Sequence, residues 1–408
     1  MTSARYALGR AAGSTAATLS RITGRGDGTT IGGRLTLAIA PKALSEAAAG
    51  RELALITGTN GKTTTRSFLV AALATLGPVA SNAGGANLPT GLTAALTRDR
   101  RSPRGVLEVD EPFLPRVIDS VRPRAVTLLN LSRDQLDRYA EVRRLASIWR
   151  DALRDPAGPT VVANCDDPLV TWAATSAHSV VWVAAGQRWH DDTSVCPECG
   201  GVLSRSADDW WSECGLRRPE PEWRAEGTTV VDGDGARHDV RLSVPGAVNV
   251  GNAALAAATA AIWAVPPDRS FEAMSAIATV EGRYLSTTYD AAPVRLLLAK
   301  NPAGWTEALT MVPAECTQVV IAVNARAADG RDPSWLWDVP FEQLAGRHAV
   351  ATGERSRDVA LRLRYAGVDC VRVDDPAAAL TAAATGGAVE VLANYTAFQT
   401  FRRVVRDD

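Results

Sequence analysis

The stretch Leu53-Ala-Leu-Ile-Thr-Gly-Thr-Asn-Gly-Lys-Thr-Thr-Thr65 determines how the first half of this chain is interpreted. Its apolar start predicts a buried strand, and the apolar residues from Phe68 to Leu73 predict a helix. A glycine loop between a strand and a helix is typical of a phosphate-binding loop, because backbone N–H groups and the helix dipole converge on one anion. The predicted nucleotide-binding residues are Gly58, Thr59, Asn60, Gly61, Lys62, Thr63 and Thr64.

Two side chains of the loop, and one beyond it, carry the expected chemistry. Lys62 is placed to reach the β- and γ-phosphates, and the Thr63 hydroxyl to bind Mg²⁺. Glu108 and Asp110 follow a second apolar run, at the strand end where parallel sheets collect their ligand chemistry. We predict a Mg²⁺ site formed by Thr63 and Glu108. A surface acid pair after a strand is the alternative for Glu108.

Apolar runs that alternate with helical patterns predict an α/β fold with mainly parallel sheets. In the first half the predicted strands are 53–57, 105–109, 125–130, 159–163 and 179–184. In the second they are 294–299, 318–323, 347–351, 369–373 and 388–393. The polar, Trp- and Cys-bearing region 187–225 interrupts the pattern and is interpreted as an insertion.

Composition limits the functional class. The 408 residues are 46% hydrophobic and 22% charged with a net charge of −1, which fits a globular protein of two or three domains. A net charge near zero gives no global basic field for nucleic acid. No apolar run is long enough to span a membrane, so a cytoplasmic protein is expected. The amphipathic N-terminal residues (Tyr6, Leu8, Leu19, Ile22) are expected to dock on the protein itself, with a membrane surface as the alternative.

The glycine loop resembles that of the Mur ligase superfamily, since Ile56 stands where the commoner loop carries glycine. The segments 164–168 (N-C-D-D-P), 245–254 and Gly282-Arg283 follow in that family's order. The resemblance implies that Asn252 reads adenine and that Arg283 has a phosphate or hinge role. The segment 164–168 could equally be a helix cap or a wall of the site.

Two departures set this chain apart from most Mur ligases. No lysine lies between Lys62 and Lys300, so a carbamylated lysine cannot hold a second Mg²⁺. The family's D-Y-A-H-x-P segment is replaced by 297–305, which puts Leu297 at the ribose-binding acid and Lys300 at the histidine. An ordinary peptide-bond-forming ligase is therefore not expected.

These departures resemble the MurT family, the Mur-ligase-like subunits of lipid II isoglutaminyl synthase. The shared motifs are D-Q-L-D-R-Y with Gln135, L-A-K-N-P-A-G with Lys300, and the segment 329–338. The resemblance implies ATP-dependent amidation of the D-glutamate α-carboxylate of lipid II through an acyl phosphate, at the inner face of the membrane. Expected domains are a lead segment (1–45), a Mur ligase central ATP-binding domain (46–286) and a Rossmann-like C-terminal domain (287–408).

The same resemblance implies a partner, a glutamine amidotransferase of the GatD type that supplies ammonia. An aspartate of the C-terminal domain is thought to complete that partner's Cys-His pair, and Asp332 and Asp338 are both candidates here. Strand-like alternation would put Trp335 and Trp337 on one face, as at an interface hot spot. With Lys62, Glu108 and Lys300, the two aspartates make up the predicted catalytic residues.

MurT proteins also carry a zinc ribbon inserted in the central domain. Cys196-Pro-Glu-Cys199 is a good zinc knuckle, but its partner keeps only Cys214, with Trp211 at the fourth thiolate's place. The fourth ligand could be His190, Glu213 or water. Alternatively, the insert has lost its metal and is held by packing of Trp189, Trp210 and Trp211.

Two other functions stay open at the level of sequence. The first is an amino-acid-adding ligase of the Mur or folylpolyglutamate type. The second is a non-catalytic scaffold that only activates the amidotransferase, against which the intact loop at 58–63 argues.

Overall fold

The computed structural model describes residues 3–23, 29–82, 85–133, 142–277, 283–385 and 387–407. Within them the chain forms two compact units. The first contains the elements from Ala4 to Ser275 and the second those from Tyr284 to Asp407. No described helix combines the length and the apolar character needed to cross a bilayer.

The first unit begins with three helices and continues as alternating strands and helices. Its helices are α1 Ala4–Ile22, α2 Thr29–Ile39, α3 Ala43–Ala48, α4 Lys62–Ala74, α5 Pro89–Arg98, α6 Leu114–Val121, α7 Val142–Ala152, α8 Pro168–Ala174, α9 Ala247–Ala261 and α10 Pro267–Ser275. Its strands are β1 Glu52–Thr57, β2 Val79–Ser81, β3 Arg104–Glu108, β4 Ala125–Leu128, β5 Thr160–Asn164, β6 Val180–Ala184, β7 Ser204–Arg205, β8 Trp210–Trp211, β9 Trp223–Glu226, β10 Thr229–Val231 and β11 Arg237–Asp239.

Nine of these strands form one sheet in the order β11-β10-β9-β6-β5-β4-β1-β3-β2. Strands β1 to β6 pair in parallel, and β9 continues in parallel with β6. Strands β10 and β11 then extend the edge beyond β9 with antiparallel pairing. Strand β1 lies between β3 and β4. After β1 the chain forms β2 and β3 on one side of it and then crosses to form β4 on the other side. Parallel sheets bind ligands at such a switch point, beyond the carboxyl ends of the strands.

Both faces of this sheet are covered, which explains the continuous apolar strands. Leu53 and Leu55 of β1 pack in one core with α6 and α7, whereas Ala54 and Ile56 pack in the other with α4 and α9. Alternate side chains of one strand thus anchor two layers of helices. The loop after β1 is held firmly in place as a result.

The second unit is a six-stranded sheet in the order β12-β13-β17-β14-β15-β16, parallel except for the β12–β13 edge pair. Its strands are β12 Tyr284–Tyr289, β13 Ala292–Leu298, β14 Gln318–Ala322, β15 His348–Thr352, β16 Asp369–Arg372 and β17 Val389–Ala393. Its helices are α11 Pro302–Thr310, α12 Ser356–Tyr365, α13 Pro376–Ala384 and α14 Tyr395–Asp407.

The predicted α/β class is confirmed, and each of the ten predicted strands has a counterpart. Strands β2 and β7 to β12 were not predicted. The strand-like interpretation of Trp335 and Trp337 is wrong, because Ser334–Asp338 is a 3₁₀ helix. Trp335 packs on Trp305, whereas Trp337 is 54% exposed, so the two indoles do not share a strand face.

The N-terminal segment folds as helices, and only part of the expected docking occurs. Tyr6 is buried, as predicted. Leu8, Leu19 and Ile22 are exposed, so the expectation that they dock on the protein is wrong.

Candidate functional site

The loop between β1 and α4 curls tightly enough for its backbone to enclose an anion. Gly58 and Gly61 have positive φ angles of 143° and 86°. A Cβ on Gly58 would lie 2.8 Å from the Leu129 Cβ, so only glycine allows the close approach to the segment after β4. Asn130 fixes that approach, since its Oδ1 accepts from the Asn60 N–H at 2.9 Å and its Nδ2 donates to the Asn60 carbonyl at 3.0 Å.

Lys62, the first residue of α4, is buried, and its ammonium group is held by a hydrogen bond and an ion pair. Its Nζ donates to the Gly58 carbonyl at 2.5 Å and lies 2.6 Å from the Glu111 carboxylate. Burial would lower the pKa of Lys62, but the carboxylates of Glu111, Glu108 and Asp110 outweigh burial and leave that pKa raised. The ammonium is therefore charged at neutral pH. The sequence did not indicate Glu111 as a partner of Lys62, since only Glu108 and Asp110 were predicted near this strand end.

The structure brings Thr63 and Glu108 together, and their role as Mg²⁺ ligands stays a prediction. The Thr63 hydroxyl donates to Glu108 Oε2 at 3.0 Å, and both side chains are buried. Arg66, one turn further along α4, lies 3.7 Å from the same oxygen. Asn82 positions Glu108 by accepting from its backbone N–H and donating to its carbonyl, both at 2.9 Å. Arg66 and Asn82 are further site residues that no sequence motif indicated.

Asn252, on the buried helix α9, also reaches the loop. A Cβ on Gly61 would lie 2.7 Å from Asn252 Oδ1, so the two residues are in close contact. The Asn252 amide donates to Asn249 Oδ1 at 3.1 Å, which fixes its orientation. Its predicted role in reading adenine stays a prediction. Arg283 is half-buried in the turn before β12, in the other unit, where its carbonyl accepts from Leu298 N–H at 3.0 Å.

The segment 164–168 acts as a helix cap and also connects neighbouring parts of the first unit. Asp167 caps α8 by accepting from the N–H groups of Leu169 and Val170, and its other oxygen accepts from Leu131 N–H at 2.8 Å. Burial raises the pKa of Asp167 to about 6, although these N–H donors favour its charged form. The carboxylate therefore ties α8 to the segment that carries Asn130.

The residues next to Asp167 in the segment 164–168 contact the insert at 187–225. Asp166 pairs with Arg218 at 2.8 Å, and the Trp210 indole N–H donates to the Cys165 carbonyl at 3.0 Å. Trp210 is buried against Cys196 and Leu203. The insert is therefore fastened to the strand ends of the nucleotide-binding sheet.

The three insert cysteines form a cluster that fits a metal ion. The Sγ atoms of Cys196, Cys199 and Cys214 all lie within 4.8 Å of one another, and no other His, Cys, Asp or Glu joins them among the residues the structure describes. His190 and Glu213 are thus outside the group. The Ser212 hydroxyl lies 3.4 Å from both Cys199 Sγ and Cys214 Sγ, a neighbour that the sequence did not suggest.

Two cysteines of the cluster differ in acidity, since burial raises the pKa of the Cys196 thiol. Hydrogen bonding from Ser212 contributes most to lowering the pKa of Cys199, to about 7, so its thiolate forms readily. Trp211 is 43% exposed and does not contribute to a packed core. The predicted three-tryptophan packing is therefore wrong for Trp211, whereas Trp189 and Trp210 are buried.

Lys300 and the predicted partner-facing aspartates belong to the second unit. Lys300 is half-buried just after β13, and Leu297 is buried in the core of that unit. Asp338 lies 3.3 Å from Arg133, which groups with this unit. Asp332 is exposed and accepts from the Ser334 N–H at 2.9 Å. Gln135 and its neighbouring acids lie outside the described residues.

Comparisons with known proteins agree with this geometry. The Mur ligase middle domain family matches residues 56–260, about half of the chain, and the MurT ligase C-terminal family matches 298–398. The Streptococcus pneumoniae lipid II isoglutaminyl synthase (glutamine-hydrolyzing) subunit MurT is 29% identical, covering 88% of this chain and 86% of the relative. The Staphylococcus aureus subunit of the same name is 27% identical, with 78% of each chain covered.

Solved structures agree on the fold. A pseudomurein peptide ligase type C from Methanothermus fervidus superposes with a TM-score of 0.69 at 19% identity, covering 88% of this chain and 79% of the other. The MurF ligase from Thermotoga maritima in complex with ADP gives 0.64 at 16% identity, covering 90% and 83%. The sheet, the glycine loop and both family matches lead to one assignment. This chain belongs to the Mur ligase family and, within it, to the MurT group.

Proposed function

We propose that this chain is the ATP-dependent ligase subunit of a lipid II isoglutaminyl synthase. It would convert the D-glutamate α-carboxylate of the lipid II stem peptide to D-isoglutamine, acting at the inner face of the membrane. The observation that carries the proposal is the buried cluster of Lys62, Thr63 and Glu108 at the switch point of the sheet. The likeness to the two MurT subunits supports the choice of substrate.

The reaction requires two transfers. A carboxylate oxygen of D-glutamate takes the γ-phosphoryl group of ATP, and ADP leaves. Ammonia then attacks the acyl carbon, phosphate departs with the C–O bond electrons, and the nitrogen loses a proton. Neither transfer needs a binding pocket for an incoming amino acid, which agrees with the altered segment 297–305 of the C-terminal domain.

The chain's own residues would position the phosphates for the first transfer. The N–H groups of the loop and the charged Lys62 bind phosphate oxygens, with Lys62 exchanging its contacts to Gly58 and Glu111 for them. Thr63 and Glu108 fit a Mg²⁺ site, because a hydroxyl and a carboxylate oxygen lie 3.0 Å apart in a buried setting. Mg²⁺ there would neutralise the charge that develops on the transferred phosphoryl group.

Two finer assignments belong to this proposal. Zinc would be held by Cys196, Cys199 and Cys214, with an oxygen ligand in the fourth position. A GatD-type glutamine amidotransferase would supply ammonia. We assign the partner-completing aspartate to Asp332 rather than Asp338, since Asp338 already pairs with Arg133.

Mass spectrometry of lipid II tests the proposal. After incubation with ATP and ammonium, or with glutamine and the partner, one stem-peptide carboxylate becomes an amide. Lys62→Ala abolishes the conversion, whereas the exposed Lys42→Ala leaves it unchanged. Addition of an amino acid instead of ammonia would favour the amino-acid-adding ligase. Partner activation without any ATP turnover would favour the scaffold.

A further inference from the structure

Helices α1 and α2 expose several large apolar side chains to solvent. Leu8, Leu19 and Ile22 of α1 are 63%, 56% and 75% exposed. Ile31 and Leu35 of α2, one turn apart, are 50% and 37% exposed. Single exposed apolar residues are ordinary, but five within two adjacent helices form a patch that indicates an interaction site.

The patch is the outer face of a firmly packed pair of helices. At 100° per residue, Leu8, Leu19 and Ile22 fall on one stripe, roughly opposite to the buried Gly9 and Gly13. The inner face is packed through glycine, since a Cβ on Gly13 would lie 2.1 Å from the Thr36 Oγ1. A rotation that buries the stripe against the protein would break this packing. The stripe therefore remains available to a partner.

The charged side chains of the two helices themselves are all basic, and the nearby acid Glu46 bonds to Ser3 at the start of α1. Helices α1 and α2 contain no Asp or Glu, but carry Arg5, Arg10, Arg21 and Arg34. Arg5, Arg10 and Arg34 have no acidic partner within the described parts of the chain. On another side of α1 than the stripe, between α1 and α5, a cleft of about 420 Å³ is lined by small residues and by arginines. These arginines are Arg10, Arg21, Arg98 and Arg100.

We propose that the outer face of α1 and α2 docks on an anionic phospholipid surface. Leucine and isoleucine side chains would enter the interfacial layer while arginines of the two helices bind lipid phosphates, as in amphipathic helices that lie on membranes. A second copy of the chain fits less well, because face-to-face packing would bring the arginines of both copies together. The inference deepens the proposed function, since it supplies the surface on which a lipid substrate is met.

Sedimentation with sucrose-loaded vesicles tests the docking without any turnover. The full chain is mixed with phosphatidylcholine vesicles that contain or lack phosphatidylglycerol. We expect binding to the anionic vesicles, weakened by salt, and little binding to the neutral ones. The triple variant Leu8→Ser, Leu19→Ser, Ile22→Ser should partition at least about tenfold less. Replacing Arg5, Arg21 and Arg34 by Gln should weaken binding roughly fivefold per arginine.

A matched control removes equally exposed apolar residues elsewhere. The variant Val202→Ser, Leu361→Ser, Val371→Ser should bind vesicles like the unmodified chain, since these residues are 78%, 49% and 56% exposed outside the patch. Equal binding by the stripe variant, or no binding of the unmodified chain to anionic vesicles, would overturn the inference. So would a dimer that the stripe variant abolishes while vesicle binding persists.

Failure of this inference and failure of the proposed function are distinguishable. Amidation of a short-chain, water-soluble lipid II analogue should proceed at the same rate in the stripe variant. Vesicle binding without any amidation would leave the docking surface intact and overturn the ligase assignment instead.

Discussion

Gly61 has a left-handed backbone conformation and also lies in close contact with a neighbouring side chain. Its φ of 86° lies in the left-handed region, and an added Cβ would lie 2.7 Å from Asn252 Oδ1. Gly61→Ala should therefore cost about 1–2 kcal/mol of stability from backbone strain and, in addition, displace Asn252 from the loop. We expect ATP affinity, measured by isothermal titration calorimetry, to fall by roughly an order of magnitude or more.

Gly50→Ala is the matched control for this prediction. Its φ of 76° imposes similar strain, but nothing lies within 4 Å of the added Cβ. The control should lose comparable stability and keep its ATP affinity. Equal losses of affinity in both variants would mean that strain, rather than the contact with Asn252, governs the site.

The sequence predicted Lys62, Thr63 and Glu108 because each stands at a fixed offset from a strand end. It did not predict Glu111, whose contact with Lys62 depends on the short 3₁₀ turn Glu111–Phe113 that follows β3. That turn leaves no apolar periodicity to detect. Side chains at fixed offsets from a strand end could be located from sequence, whereas Glu111, which an irregular turn positions, could not.

The same distinction holds at the scale of secondary-structure elements. Strands β1, β3, β4 and β5 are buried on both faces, so their sequences are continuous apolar runs that stand out. Strands β9 to β11 are short and lie at the edge of the sheet with polar side chains, such as Arg237 and Asp239 of β11. Their pairing depends on neighbours distant in sequence, which a local pattern does not report.

His238 of β11 provides a pH-dependent link between this edge and α10. Its Nε2 lies 2.8 Å from Asp232 and its Nδ1 2.6 Å from Asp268. Burial would lower the pKa of His238, but the bonds to the two carboxylates outweigh burial and raise it above 6.5. The charged clamp therefore stabilises the fold fully below about pH 6.5 and loses its contribution as the pH rises through the raised pKa.

We expect His238→Gln to lower the melting temperature by about 2–6 °C at pH 6, for a loss of roughly 1–2 kcal/mol. The difference from the unmodified protein should shrink at pH 9. His348→Gln is the control, because the pair of His348 with Asp369 is exposed and contributes little. A pH-independent difference measured by calorimetry would show that His238 acts through packing, for instance against Phe271.

The insert is too small to fold on its own core, so its stability should depend on metal. Purified protein should contain about one zinc per chain by elemental analysis. Cys199→Ser should lose that zinc, whereas Cys370→Ser, outside the cluster, should keep it. Ser212→Cys should slow the loss of zinc to a chelator, since it places a fourth sulfur where the Ser212 hydroxyl now contacts the sulfurs of two cysteines. Equal zinc contents in the Cys199 and Cys370 variants would contradict the site.

At the scale of the whole molecule, the sequence predicts two α/β units but does not choose between Asp332 and Asp338. Both aspartates stand in one short segment, and no spacing rule separates them. The structure separates them by their partners. Asp338 has a cation at 3.3 Å, whereas hydrogen bonds from the Ser334 N–H and hydroxyl lower the pKa of the exposed Asp332. An exposed carboxylate that is not already paired with a cation is the better candidate to orient a partner's histidine.

We therefore expect Asp332→Asn to reduce glutamine hydrolysis by the assembled complex by about two orders of magnitude or more, because an amide cannot stabilise a charged imidazole. Amidation driven by added ammonium should continue at the unmodified rate, since the ATP site lies in the other unit. Asp338→Asn should change both rates by less than about threefold, because it removes only an exposed ion pair. Glutamate release and lipid II amidation, measured in parallel, decide the assignment. Loss of hydrolysis in Asp338→Asn alone would transfer the role to that residue.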